Sequence, residues 1–294
     1  MRALVTGSKG QLGRALRARL EQRRCPDAWL DADVDWVDLA ELDISDASAV
    51  EAWFAGHAYD VVFNCAAMTN VDGCEVDFAT AFSANALGPM NLARACAACG
   101  ATLVHVSTDY VFPGSEEGAR TEADIPAPIS AYGRSKLAGE GLALAANPRT
   151  HVARTAWLYG EGKNFVATML RLGATHDQVT VVSDQFGNPT SADDLAGELL
   201  RIALTDLYGV WHCTNEGTCS WADLAEEAFA LAGVSCEVRR CTSAEWKQIS
   251  PGSADRPHFS SLENARLKAT IGNTMRPWRE ALRDYLDNGT PKEA

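Results

Sequence analysis

The sequence predicts an α/β protein, a doubly wound parallel sheet followed by a smaller α/β unit. Three observations predict it. Short β-branched apolar runs alternate with amphipathic stretches through the first half, a glycine-rich turn separates the first run from the first amphipathic stretch, and the alternation loosens beyond about residue 157. Parallel strands need long crossovers, most often helices, and the right-handed crossover rule turns such a series into one sheet covered on both faces. At 294 residues and 47% hydrophobic content the chain has enough apolar material for a large core.

In order, residues 3–6, 36–39, 60–65, 102–107 and 151–155 read as strands, and 11–22, 46–55, 78–99 and 131–145 carry apolar residues at helical spacing. The first domain is expected to span 1–157, with the chain returning to it near 184–208, and residues 158–294 to form mainly the second domain. Helices are expected there at 192–203 and 220–232, the latter with Ser220 as N-cap and Asp223 in its first turn. The tail after Asn288 reads as frayed.

Composition removes several function classes. A net charge of −13 disfavours nucleic acid and anionic membranes, which demand a basic face. No cleavable apolar leader and no bilayer-length apolar run are visible, so a cytoplasmic protein is expected. Nine cysteines, an odd number scattered through strands and helices, read as reduced thiols. Cys96 and Cys99 form a C-x-x-C near a helix end with no second pair at zinc spacing, and the six histidines are dispersed, so no metal is expected.

Gly7-Ser8-Lys9-Gly10-Gln11-Leu12-Gly13 is a G-x-x-G-x-x-G placed directly after the first strand and opening the first helix. Backbone N–H groups converge there on a pyrophosphate, which makes the sheet Rossmann-type and its ligand a dinucleotide. Asp38 falls after the second strand, where a carboxylate takes the adenosine ribose hydroxyls and repels a 2′-phosphate. Leu39 follows it in place of a phosphate-binding arginine, which favours NADH, while Lys9 is the residue that could admit NADPH. Asp43 reads equally as a turn acid or an adenine contact.

Tyr132 and Lys136 stand four residues apart, on one face of a helix. A ketone reductase needs that pair, because a phenol must protonate the developing alkoxide and a nearby ammonium lowers its pKa while holding the nicotinamide ribose. Ser107-Thr108-Asp109-Tyr110 ends the fourth strand, where an open parallel sheet presents its ligand groups, and a hydroxyl there can orient a carbonyl for hydride transfer. Either group could be ordinary surface or turn chemistry alone, but their order along the chain favours catalysis.

With these residues in place, the chain resembles the dTDP-4-dehydrorhamnose reductase family over nearly its whole length. The resemblance rests on Thr6–Gly13, Asn64-Cys65-Ala66-Ala67-Met68-Thr69-Asn70-Val71-Asp72, Ser107-Thr108-Asp109-Tyr110-Val111-Phe112, residues 132–140, Arg154-Thr155-Ala156-Trp157-Leu158-Tyr159-Gly160, Asn164-Phe165 and Asp184-Gln185-Phe186-Gly187-Asn188-Pro189-Thr190. It implies NAD(P)H-dependent reduction of the C4 ketone of dTDP-4-dehydro-β-L-rhamnose, the last step of dTDP-L-rhamnose synthesis. It implies Thr108, Tyr132 and Lys136 as the catalytic trio. Gly7, Gly10, Gln11, Leu12, Gly13, Asp38, Asp43, Ile44, Ala67, Met68 and Thr69, with Tyr132 and Lys136, would hold the dinucleotide, and Thr108, Asp109, Trp157 and Arg256 the sugar nucleotide.

Three positions depart from the pattern. Met68 stands where an aromatic or histidine is usual, Ala15 where members that dimerise around magnesium carry a glutamate, and Tyr110 where related dehydratases carry a glutamate base. Dehydration is therefore disfavoured, no metal-bridged dimer is expected, and the state is a monomer or homodimer. The competing readings are a reductase of another dTDP-4-ketosugar, as in a dihydrostreptose-type branch, and a non-catalytic regulatory module of the same fold.

Overall fold

The computed structural model describes residues 1–288, so the expectation for the tail after Asn288 lies outside the described residues. The first half runs β1 (Arg2–Thr6), α1 (Gln11–Glu21), β2 (Asp33–Trp36), α2 (Ala47–Ala55), β3 (Val61–Asn64), α3 (Val71–Val76), α4 (Phe78–Phe82), α5 (Gly88–Cys99), β4 (Thr102–Thr108), α6 (Ala131–Ala146) and β5 (Thr150–Thr155). The second half runs β6 (Leu158–Tyr159), α7 (Phe165–Gly173), β7 (Gln178–Val182), β8 (Phe186–Gly187), β9 (Thr190–Ser191), α8 (Ala192–Ile202), β10 (Gly209–His212), β11 (Cys219–Ser220), α9 (Trp221–Ala232), β12 (Glu237–Cys241), α10 (Ser243–Ile249), α11 (Ala265–Ala269) and α12 (Trp278–Asn288).

The central sheet has the order β10-β5-β4-β3-β1-β2, with every pair parallel. The chain leaves β1 to one side and resumes with β3 on the other, so a crevice opens at the carboxyl ends of β1 and β3. Period-two alternation divides the core between the two faces. Ala3, Val5, Val61, Phe63 and Val104 pack with Leu12, Leu16, Leu195, Leu199 and Trp211, whereas Leu4, Val62 and Leu103 pack with Val50, Leu92, Cys96 and Ala143.

The chain comes back to this sheet late: α8 packs on α1, and β10 pairs with β5 from Gly209↔His151 to His212↔Arg154. Between and after these elements, β7 and β12 form a separate two-stranded parallel sheet. Two clusters built on α7, α9 and α12 fill that unit, one around Tyr159, Val166, Leu224 and Trp278, the other around Met169, Val181 and Phe229. Among the described residues no helix is long and apolar enough to cross a membrane, and no group of three His, Cys, Asp or Glu could hold a metal ion.

Two expected elements are corrected. The second strand is 33–36 rather than 36–39: it is the sheet edge, its Asp33 and Asp35 interrupt the apolar pattern, and the apolar Leu39 that suggested the later register is 70% exposed. The helix expected at 78–99 is three pieces, because a π-helical turn at Ser83–Leu87 separates α4 from α5. Pro89 in the first turn of α5 has no N–H to continue a regular ladder, and the wide turn absorbs the break.

Candidate active site

A cleft of about 1160 Å³ runs along the carboxyl ends of the sheet, from Asp38 and Asp43 past the glycine turn to Tyr132, Trp157 and Trp221. At its base Gly7 adopts φ +63°, and a Cβ there would lie 2.7 Å from the Ala66 nitrogen. A Cβ on Gly13 would lie 2.5 Å from the Ser8 Cα, so glycine lets α1 start directly over the turn. Gly10 caps α1 with no side chain, which leaves the first-turn N–H groups of the helix for an anion. Gly7, Gly10, Gln11, Leu12, Asp38, Asp43, Ile44, Ala67, Met68 and Thr69 line the cleft, whereas Gly13 only makes the packing possible. Met68 is fixed on both sides by one side chain in the π-turn: its N–H donates to Asn85 Oδ1 at 2.8 Å, and Asn85 Nδ2 donates to the Met68 carbonyl at 2.9 Å and to Ser135 Oγ at 3.0 Å.

Thr108 ends β4, and Tyr132 and Lys136 occupy successive turns of α6, whose N-cap Ser130 accepts from the Gly133 N–H. All three line the cleft. Thr108 Oγ1 donates to Asp109 Oδ1 at 3.0 Å and accepts from the Tyr110 N–H at 3.2 Å. Lys136 Nζ donates to the Val106 carbonyl at 2.7 Å; burial lowers its pKa to about 8, with Glu140 and Cys65 opposing. Burial raises the Tyr132 phenol above its ordinary value, and the group that opposes the rise is the Thr108 hydroxyl.

Behind this trio lies a buried ion pair that the sequence reading did not single out. Glu140 accepts from Arg154 Nε at 2.9 Å, from the second guanidinium nitrogen at 2.7 Å and from Ser107 Oγ at 2.5 Å; the two side chains are 3% and 5% exposed. Ser107, Glu140 and Arg154 thus tie β4, α6 and β5 together beneath the cleft floor.

On the substrate side Trp157 sits at φ +46° and stacks on Trp221, ring centroids 3.5 Å apart and planes 6° from parallel. Trp221 opens α9 directly behind the Ser220 cap, whose expected capping with Asp223 is present. Its place in the cleft comes from β8 and β11 pairing, which no local pattern signals. Asp109 is buried; burial raises its carboxyl to about 7, opposed by the hydroxyls of Ser260 and Thr108, and among the described residues its Oδ2 has no hydrogen bond of good geometry. Gln11 and Thr155, which also line the cleft, likewise each have a buried oxygen with no hydrogen-bond partner among the described residues. Lys163 and the Arg14–Glu161 ion pair, 2.9 Å, border the same cleft and were not anticipated. Arg256 stands behind the cleft wall: its guanidinium donates to Asp72 Oδ1 at 3.0 Å and to the Ala254 carbonyl, and it also acts on the hydroxyl of Tyr110, which lines the cleft.

The glycine turn, the bare helix start and the unpartnered oxygens suit a nicotinamide dinucleotide with a second polar ligand beside it. The family model described as the RmlD substrate binding domain matches residues 1–290. A dTDP-4-dehydrorhamnose reductase of Mycobacterium tuberculosis is 44% identical over 294 residues, covering 97% of this chain and 92% of that protein. The crystal structure of a dTDP-4-dehydrorhamnose reductase from Clostridium acetobutylicum superposes with a TM-score of 0.92 at 44% identity, covering 98% and 99% of the two chains. One from Bacillus anthracis, in complex with NADP, gives 0.91 at 35% identity over 97% and 98%.

Proposed function

The chain belongs to the RmlD substrate binding domain family, alongside dTDP-4-dehydrorhamnose reductases, and from that premise we propose that it reduces the C4 ketone of dTDP-4-dehydro-β-L-rhamnose to dTDP-L-rhamnose. The observation that carries the reading is the convergence of Thr108, Tyr132 and Lys136 on one cleft whose other end is a glycine turn under a bare helix start. Residues 1–157, completed by α8 and β10, would hold the dinucleotide, and the rest of the second half the sugar nucleotide. Bound in the cleft, a reduced nicotinamide supplies the hydride. Thr108 Oγ1 holds the ketone oxygen, and Tyr132 transfers its phenolic proton to that oxygen as the C–H bond forms. The Lys136 ammonium, anchored on the Val106 carbonyl, steadies the phenolate until solvent returns the proton. Asp109 and the Trp157–Trp221 wall face the sugar, and Lys163 is the cation at the cleft edge for the diphosphate. Arg256 would join it by exchanging Asp72 for phosphate. Asp38 at the ribose end favours NADH.

Oxidation of NADH and, separately, NADPH with dTDP-4-dehydro-L-rhamnose, with identification of the product sugar, tests the reading. Turnover to dTDP-L-rhamnose, lost on Tyr132→Phe while NADH binding persists, is expected. Full activity of Tyr132→Phe would overturn the assignment, and turnover only with a different dTDP-4-ketosugar would move the substrate.

A further inference from the structure

We propose that Glu41, which does not line the cleft, sets the choice between the two nicotinamide dinucleotides by holding Lys9 away from a 2′-phosphate. This rests on the reading that the cleft takes such a dinucleotide. Asp38 Oδ2 accepts from the Lys9 backbone N–H at 2.9 Å, and its Oδ1 from the Leu39 N–H at 2.9 Å. The Asp38 N–H in turn donates to Glu41 Oε2 at 2.9 Å, and Lys9 Nζ donates to Glu41 at 3.0 and 3.3 Å. The glycine turn and the loop after β2 are thus closed on each other by a ring of hydrogen bonds. The one lysine of the turn is spent on a carboxylate inside it.

The charge balance decides the consequence. Asp38 and Glu41 against Lys9 leave this corner net negative, where a 2′-phosphate would bring roughly two further negative charges, taking a phosphomonoester as the guide. The other cation near this strand end, Arg17, lies over the Trp36 ring at 4.7 Å. A free ribose meets no such penalty, because its hydroxyls can donate to Asp38. The Lys9 hydrogen bond is the largest influence holding the Glu41 carboxyl below its ordinary value, so the pair persists through neutral pH. Lys9 and Glu41 are 63% and 44% exposed, which makes their effect on a phosphate screened by salt.

Fluorescence titration of NADH and NADPH against the wild type, Glu41→Gln, Lys9→Gln and the double variant tests the proposal by binding alone. Glutamine keeps an oxygen for the Asp38 N–H while releasing the lysine. Glu41→Gln should raise the affinity for NADPH relative to NADH by about tenfold, the size of one charge acting on a dianion a few ångströms away in near-bulk dielectric. The gain should shrink as salt is added, and it should be markedly smaller between Lys9→Gln and the double variant, where only the loss of the Glu41 charge remains. An equal change in both affinities, or a gain as large without Lys9 as with it, overturns the proposal. Binding of neither nucleotide by folded wild type overturns the cofactor reading on which it stands.

Discussion

Gly187 offers a sharp perturbation because its space is already taken. It lies in β8 opposite Cys219 of β11, and a Cβ built on it would stand 2.5 Å from Cε2 and 2.7 Å from Nε1 of the Trp157 indole. Trp157 cannot easily retreat: its backbone already occupies the left-handed region, and its other face is stacked on Trp221. Gly187→Ala therefore forces either strand β8 or the indole to move, an overpacking cost of roughly 1–3 kcal/mol. For a chain of this size each kcal/mol shifts Tm by about 2–4 °C, so a fall of about 5 °C is expected in thermal denaturation. Trp157→Phe alone should also destabilise, by about 1 kcal/mol for the lost stack. Combined, the two should cost less than their sum, because the smaller ring makes room for the methyl group. The affinity for the sugar nucleotide should fall with Gly187→Ala while that for the dinucleotide, at the other end of the cleft, should not. Additive losses of stability, or an unchanged Tm, would refute the reasoning.

Two further outcomes follow from buried charge. The Asp109 carboxyl, raised to about 7, keeps its proton in the fold while the unfolded chain loses it from about pH 4, so its contribution to stability falls as pH rises between those values. Asp109→Asn removes this dependence, and its Tm relative to wild type should climb from pH 4 to 7 and then level off; a flat difference would count against the burial argument. Glu140→Gln strips the buried Arg154 of its counter-ion at a cost of about 3–5 kcal/mol. It also removes an influence that raises Lys136, so the alkaline limb of the activity profile should move to lower pH, and an unmoved limb with only lower stability would reduce Glu140 to a structural strut.

The parts of this molecule legible in the sequence are those written in local patterns. The glycine turn, the Tyr132–Lys136 spacing and the apolar strands β1, β3, β4 and β5 each carry their signal within a few residues. Strand β2 was displaced because an edge strand with alternating acids presents little apolar pattern. The π-turn at Ser83–Leu87 carries no local pattern beyond the Pro89 that follows it, and what it does, placing Asn85 against Met68 and Ser135, is a tertiary contact. The ion pair of Arg256 with Asp72 joins residues far apart in sequence, so no local pattern shows it. The same holds for Trp221, brought to Trp157 by strand pairs of two residues each.

The late arrival of β10 also has a meaning for synthesis. When residue 157 has been made, the outer edge of β5 and the apolar face of α1 are present, but the segments that cover them, α8 and β10, lie up to about 55 residues downstream. At about 5–20 residues per second a ribosome needs roughly 3–11 s to deliver them. For that interval the nascent chain carries an open strand edge on β5 and, separately, an uncovered Leu12 and Leu16 on α1, and an open edge invites pairing with another chain. The order of the strands thus leaves the first half of the sheet without its outer strand until the second half has been made.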